Sequence, residues 1–200
     1  MTYAIVGSGA IGHAIATQFA RKQIAVSLAN ARGPASLGDV VRALGDKVSA
    51  SSVADALRAD IVIMAVPFHA IREVAIQGAP WSGRIVVDAS NAIDLPAFTA
   101  TDLGGRPSTT LVAEWCVGAR VVKAFNTLPA ALLASDPAVQ GGKRVLFMAG
   151  DDAAANAKVS ALIESLGYAA VDLGKLAEGG LLSQFMGPLP NHDLIKLPAR

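Results

Sequence analysis

Tyr3-Ala4-Ile5-Val6-Gly7-Ser8-Gly9-Ala10-Ile11-Gly12-His13-Ala14-Ile15 is the stretch that decides how this chain folds. Its first four residues are apolar on both faces, the pattern of a strand buried inside a sheet. Ile11, Ile15 and Phe19 then recur at helical spacing. Between strand and helix lies Gly7-x-Gly9-x-x-Gly12. In that context the glycines have separate physical roles. Gly7 permits a tight turn, Gly9 lets a pyrophosphate approach the backbone, and Gly12 lets helix and strand pack closely. The unpaired N–H groups and dipole of the helix N-terminus then favour an anion. A glycine-rich turn that only packs is the competing reading. The strand before the loop and the helix after it argue against that reading.

Outward from this stretch, short β-branched runs alternate with helical patterns. Strands are expected at Ile24–Leu28, near Lys47–Ser49, at Asp60–Val66, Arg84–Asp88, Arg120–Phe125, Lys143–Met148 and Tyr168–Leu173. Apolar helix stripes fall at Leu37/Val40/Val41/Leu44, Phe68 to Gln77, Thr110 to Val117 and Val159/Leu162/Ile163/Leu166. Ser52-x-x-Asp55 resembles a capping box. Residues 91 to 107, with two prolines and two glycines, read as loop. Alternating strands and helices imply right-handed crossovers and a mostly parallel sheet covered on both faces. The expected class is therefore α/β: a doubly wound Rossmann fold with a small C-terminal lobe, residues 1–200 forming a single domain.

The end of the second strand bears on the choice of nucleotide. NAD-binding chains usually carry Asp or Glu about 20 residues past the loop, where it holds the ribose 2′-hydroxyl. This chain has Leu28-Ala29-Asn30-Ala31-Arg32-Gly33-Pro34, with no acid. The Arg32 guanidinium suits a 2′-phosphate, and Asn30 is placed to add a hydrogen bond. NADP(H) is the expected cofactor. An exposed loop arginine with no ligand is the plainer alternative.

Composition narrows the remaining classes. The chain has 200 residues, 52% hydrophobic and 16% charged, enough apolar mass for a large core and too little polarity for extensive disorder. Formal net charge is +1, with no basic run to suggest a nucleic acid or membrane partner. The one cysteine, Cys116, and three histidines offer no metal-ligand spacing and no intrachain disulfide. A reducing, cytoplasmic location is expected. No leader pattern and no uninterrupted span of roughly 20 apolar residues occurs.

Five further stretches carry a resemblance. The phosphate loop, Asn30-Ala31-Arg32-Gly33-Pro34 and Val66-Pro67-Phe68-His69-Ala70 resemble the deazaflavin (coenzyme F-420)-dependent NADP oxidoreductase family. Val87-Asp88-Ala89-Ser90-Asn91 and Val122-Lys123-Ala124-Phe125-Asn126-Thr127 are similar to its bacterial branch. The same two motifs resemble the cytosolic reductase domain of six-transmembrane metalloreductases, which passes hydride from NADPH to a flavin. The resemblance implies that Gly7, Ser8, Gly9, Ala10, Ile11 and Gly12 hold the pyrophosphate and Arg32 the 2′-phosphate. It implies that Val66 and Pro67 border the nicotinamide ribose, and that Asn91, Asn126 and Thr127 surround a ring pocket. It implies a deazaflavin or flavin ring as co-substrate. Archaeal members often carry His where this chain has Asn126.

The other candidate groups each have two readings. His69 follows a strand end, where open sheets gather their active sites; it is a candidate proton donor or an ordinary first-turn histidine. His13 should face solvent. Lys123 should meet an anionic ring or phosphate, or snorkel along apolar neighbours. Thr127 is a pocket residue or a cap for a helix after Pro129. Cys116 reads as core. The absence of a nucleophile triad or a carboxylate pair fits ring-to-ring hydride transfer, which needs orientation more than acid–base groups. The rivals are an NADPH-dependent imine or carbonyl reductase similar to pyrroline-carboxylate reductase, with His69 as its donor, and a non-catalytic NADPH sensor. Finally, the apolar but glycine- and proline-broken segment 174–200 must bury its surface. It is expected to close the acceptor site and to join two chains in a homodimer.

Overall fold

The structure is a computed structural model and describes residues 1–198. The opening stretch folds as strand β1 (Tyr3–Val6) and helix α1 (Ala10–Arg21). Next come β2 (Val26–Ala29), a 3-10 turn (Pro34–Leu37), α2 (Gly38–Leu44), β3 (Val48–Ser51), α3 (Val53–Ala56), β4 (Ile61–Met64), α4 (Phe68–Gly78) and β5 (Ile85–Asp88). Ser52 caps α3 as expected, its hydroxyl accepting from the Asp55 N–H. β2 starts two residues later than expected, because Gln23 turns through a positive φ of 56° and the Ile24 N–H still bonds back to Phe19 of the preceding helix.

Six strands run parallel in the order β3-β2-β1-β4-β5-β8, where β8 is Arg120–Ala124. That is the doubly wound order, with the switch point beside β1. Successive strand residues alternate between two apolar clusters, one on each face of the sheet. Ile5, Leu28, Ile63 and Val87 join the first, and Ala4, Val6, Val62, Met64 and Val86 the second. Each fully buried aliphatic side chain of this kind contributes roughly 1.5–3 kcal/mol.

Beyond β8 the direction reverses. The link holds only the five-residue helix α6 (Ala130–Ala134), short of the crossover helix that a parallel return uses. Strand β10 (Gly142–Gly150) therefore pairs antiparallel with β8, and β11 (Ala169–Asp172) runs parallel to β10 after helix α7 (Ala153–Ser165). The short β9 (Ala138–Val139) and β12 (Ile195–Lys196) add to β10.

One expectation needs correction. Residues 91 to 107 are not all loop, because β6 (Ile93–Asp94) and β7 (Thr99–Ala100) form a small hairpin before α5 (Ser108–Trp115). Strands of two residues are too short to display an alternating pattern. The C-terminal segment also holds a helix, α8 (Leu176–Ser183), despite Gly179 and Gly180. A Cβ on Gly179 would stand 2.6 Å from the Leu173 carbonyl oxygen and 2.9 Å from the Ala149 Cβ, so glycine is what lets α8 lie close on β10. Part of this segment therefore completes the core of its own chain, with Leu176 and Ser183 buried. Among the described residues, no helix is long and apolar enough to cross a membrane.

Candidate functional site

The carboxyl ends of β1, β2, β4, β5 and β8 gather at one edge of the sheet. Gly7 leaves β1 with φ +114°, and its N–H bonds to the Ala29 carbonyl at 2.8 Å. A Cβ there would meet the Ala65 carbonyl oxygen at 2.2 Å, and a Cβ on Gly12 would meet the Gly7 carbonyl oxygen at 1.8 Å. These two glycines are demanded by the protein itself. Gly9 differs, because nothing lies within 4 Å of its Cβ direction. Gly9 also caps α1 without any side-chain acceptor, and no acid occupies the first turn. The N–H groups of Ala10, Ile11 and Gly12 lack intrahelical acceptors there. An exposed cradle of this shape and sign fits a pyrophosphate.

Asn30 and Arg32 take different places from one another. Asn30 is buried, and its carboxamide is committed to the protein. Its Nδ2 donates to Ser8 Oγ at 2.9 Å, and its Oδ1 accepts from the Arg32 N–H at 2.9 Å and from Ser36 Oγ at 3.1 Å. It ties the phosphate loop to the following loop. Arg32 is exposed on that loop, and its guanidinium has no protein partner among the described residues. The arrangement leaves a cation beside the nucleotide groove.

A cavity of about 620 Å³ opens from this loop. Gly7, Ser8, Gly9, Asn30, Val66 and Pro67, all cofactor candidates from the sequence, line it; Arg32, Asn91 and Thr127 are not among its lining residues. Ser52 and Val53 after β3, and Ala70, Glu73, Val74 and Gln77 along α4, also line it and went unread. The α4 spacing Ala70/Val74/Gln77 is one helical face, but the same spacing marks an ordinary core stripe.

At the far end of the edge, Asn91 and Asn126 face each other. Asn126 Nδ2 donates to Asn91 Oδ1 at 3.0 Å, and Asn91 Nδ2 donates to the Asn126 carbonyl at 3.0 Å. Asn126 Nδ2 also donates to the Ser183 carbonyl of α8 at 2.7 Å, and the Thr127 carbonyl accepts from the Asn191 N–H at 2.8 Å. The C-terminal segment thus reaches the asparagine pair. Phe125, fully buried, has φ +65°, a strained conformation for a bulky side chain. Asn126 Oδ1 and Thr127 Oγ1 are both buried without a hydrogen-bond partner among the described residues. Thr127 does not cap α6, whose N-cap is Pro129.

His69 is half exposed, its Nε2 lying 3.1 Å from the Asp94 carboxylate, which also accepts from Thr101 Oγ1. It clasps the β6–β7 hairpin to α4. Among the described residues no hydrogen bond joins it to Asn126. His13 is exposed. Cys116 is buried, and burial with the nearby Asp88 charge pushes its thiol up to about 12, far from a reactive thiolate. Lys123 does neither of the things expected of it. It is buried against Asp88, Nζ to Oδ2 at 3.2 Å. A second cavity of about 320 Å³ lies between the hairpin, the start of α5 and α8; Thr101, Arg106, Ser108, Gln184 and Phe185 line it. Its walls adjoin the asparagine pair through Ala92, next to Asn91, and Gln184, next to Ser183.

Strand order, glycine loop and open helix terminus together define a dinucleotide-binding Rossmann protein. Comparison with known proteins narrows the class. Residues 2–92 match the family described as NADP oxidoreductase coenzyme F420-dependent. Over that N-terminal stretch, just under half of its length, the chain resembles that family. The solved structure of a hypothetical protein from Sinorhizobium meliloti is 55% identical, over 98% of this chain and 96% of that one, with a TM-score of 0.95. A candidate F420-dependent NADP reductase from Arthrobacter sp. FB24 is 25% identical, over 88% of this chain and 86% of that one, with a TM-score of 0.77. A reductive aminase from Aspergillus terreus, in complex with NADPH and ethyl levulinate, shares the fold. It is 21% identical, the TM-score is 0.64, and the match covers 88% of this chain and 56% of that one. No protein with a curated description matches.

Proposed function

We propose that the chain passes hydride between NADP(H) and a deazaflavin (coenzyme F-420) or flavin ring. The observation that carries this reading is an open anion cradle at Gly9, continuous with a cavity that runs to Val66 and Pro67, beside a loop whose exposed Arg32 has no partner for its guanidinium among the described residues. When bound, the nicotinamide supplies a hydride from its C4. The protein's own part is to bind, orient and exclude water. The N–H groups of the first turn of α1 hold the pyrophosphate, Asn30 fixes the shape of the loop, and Arg32 neutralises the 2′-phosphate. Asn91, Asn126 and Thr127 form the floor of the ring end, and the second cavity, against Phe185, receives the acceptor ring.

Arg32→Ala is expected to weaken NADPH binding by about 10- to 100-fold, the loss of one hydrogen bond to a charged group, and to leave NADH nearly unchanged. Titration of both nucleotides by fluorescence checks this; equal losses would remove Arg32 from the 2′-phosphate.

His69 bears on the rival reading, an imine or carbonyl reductase that needs a proton donor. Its half exposure and its engagement with Asp94 favour a structural clasp. NADPH oxidation with deazaflavin, FMN, FAD and cyclic imines offered in parallel should find a ring acceptor. His69→Ala should retain at least about a tenth of that turnover, whereas loss of a general acid would cost about 10²- to 10⁴-fold. A collapse with nucleotide binding intact would put the imine reductase first.

The same reading places a homodimer contact beside the acceptor cavity. Leu95 and Phe98 on the hairpin and Leu182 and Met186 beside Phe185 stay exposed, with Phe98 edge-on to Phe185 at 5.6 Å. A two-fold contact would cover this apolar face in both chains. Sedimentation at micromolar concentration should give a dimer, and a monomer would contradict the contact.

A further inference from the structure

Asp88, the last residue of β5, and Lys123 on β8 are register partners on neighbouring parallel strands, and both are fully buried. The pair is tightly bonded. Asp88 Oδ1 accepts from the Ser90 N–H at 3.0 Å and from Ser90 Oγ at 2.6 Å. Asp88 Oδ2 accepts from Thr109 Oγ1 and from Lys123 Nζ, and the same Nζ donates to the Ser90 carbonyl at 3.0 Å. Ser90 is thus gripped at its N–H, its hydroxyl and its carbonyl by one ion pair. The next residue is Asn91, whose carboxamide locks Asn126.

A buried ion pair is poor value as a source of stability, since well-packed apolar residues of similar volume often do as well. A pair whose bonds all converge on one turn has a geometric use instead. We propose that Asp88 and Lys123 are positioning residues: by holding Ser90 on three sides they set the Asn91–Asn126 floor against which the nicotinamide half of the cofactor lies. This rests on the dinucleotide reading above. The strained turn at Phe125 and the two partnerless oxygens, Asn126 Oδ1 and Thr127 Oγ1, lie on that same floor. Neither feature is sustained by local sequence preference, so the surroundings must impose both. The grip on Ser90 supports that floor from β5, alongside the Ser183 carbonyl that holds Asn126 from α8. Lys123 acts only through Ser90 and touches no reacting atom in this scheme.

The test compares two ligands on the full chain. NADPH reaches the floor, while 2′,5′-ADP carries the adenosine end and the 2′-phosphate but no nicotinamide. Lys123→Met alone leaves a buried unpaired carboxylate, so the double variant D88N/K123M carries the test. It should fold, bind 2′,5′-ADP as the parent does, and bind NADPH on the order of 10-fold more weakly. The emission of the bound reduced nicotinamide should shift toward that of free NADPH. Thr109→Val, which removes one donor to Asp88 and keeps the pair, should give the same selective loss at roughly 3-fold and decides the matter if the double variant is unfolded. Parent-like binding of both ligands by a folded variant would overturn the proposal and leave the pair purely structural. Equal losses on both ligands would overturn it too, since the damage would then lie at the phosphate loop. A parent chain that binds neither ligand overturns the dinucleotide reading, and the proposal with it.

Discussion

Gly12→Ala should strongly destabilise the chain, while Gly9→Ala should leave the fold intact and remove the cofactor. The new methyl at Gly12 would stand 1.8 Å from the Gly7 carbonyl oxygen, inside any van der Waals contact, and its neighbour is backbone that cannot rotate away. Relief requires α1 to move off β1, which opens the cluster formed by Ile5, Ile15, Phe19 and Leu28. Overpacking a rigid core typically costs about 1–3 kcal/mol, and displacing a helix from its sheet places this case at or above the upper end. A domain this size has about 5–15 kcal/mol in hand. Gly9 has open space where the methyl would go, so the protein should not notice it. The pyrophosphate would, because its path to the N–H groups of α1 passes there. Urea melts paired with NADPH titrations separate the two outcomes. Equal destabilisation by both substitutions would mean that Gly9 serves packing and not phosphate.

Lys123→Met is the second large effect. Removing one member of a buried pair strands the other, and such losses run to about 3–5 kcal/mol. Asp88 would keep its bonds from Ser90 and Thr109 but lose its ion-pair partner, at a site with no exposed surface. Asp88→Asn in the same chain removes the stranded charge. The double variant should therefore recover most of the lost stability, a non-additivity that a double-mutant cycle reads directly. Additive losses would show that the two side chains do not act as a pair.

These residues also mark how far the sequence could be read. The cradle was legible because each of its requirements is local: a buried strand, three glycines at fixed offsets and an amphipathic helix lie within twenty residues. The exposed position of Arg32 was legible for the same reason, since its spacing from the glycine loop is local. Lys123 was not. Its partner lies 35 residues away, and only the register of β5 against β8 puts Asp88 beside it. A lone lysine among Val122, Ala124 and Phe125 looks like a snorkelling side chain until that register is known. Asn30 was half read, since its place near the loop follows from spacing but its commitment to Ser8 and Ser36 is tertiary. The α4 wall of the cavity escaped because binding faces and core faces of helices share one periodicity. The hairpin of β6 and β7 escaped because it is held by side chains, Asp94 with His69 and Thr101, more than by strand pattern.

The central claim is that the chain orients a nicotinamide for hydride transfer to a second ring. NADPH carrying deuterium at C4, prepared separately on each face, tests it most directly when mixed anaerobically with the protein and oxidised deazaflavin. The deazaflavin accepts at a carbon, C5, where a transferred label does not wash out into solvent. One of the two labelled nucleotides should deliver its deuterium to C5 and the other should not, because a ring held on an ordered floor presents a single face. Delivery from neither face, with the label appearing instead at the carbon of a reduced imine, would contradict the account.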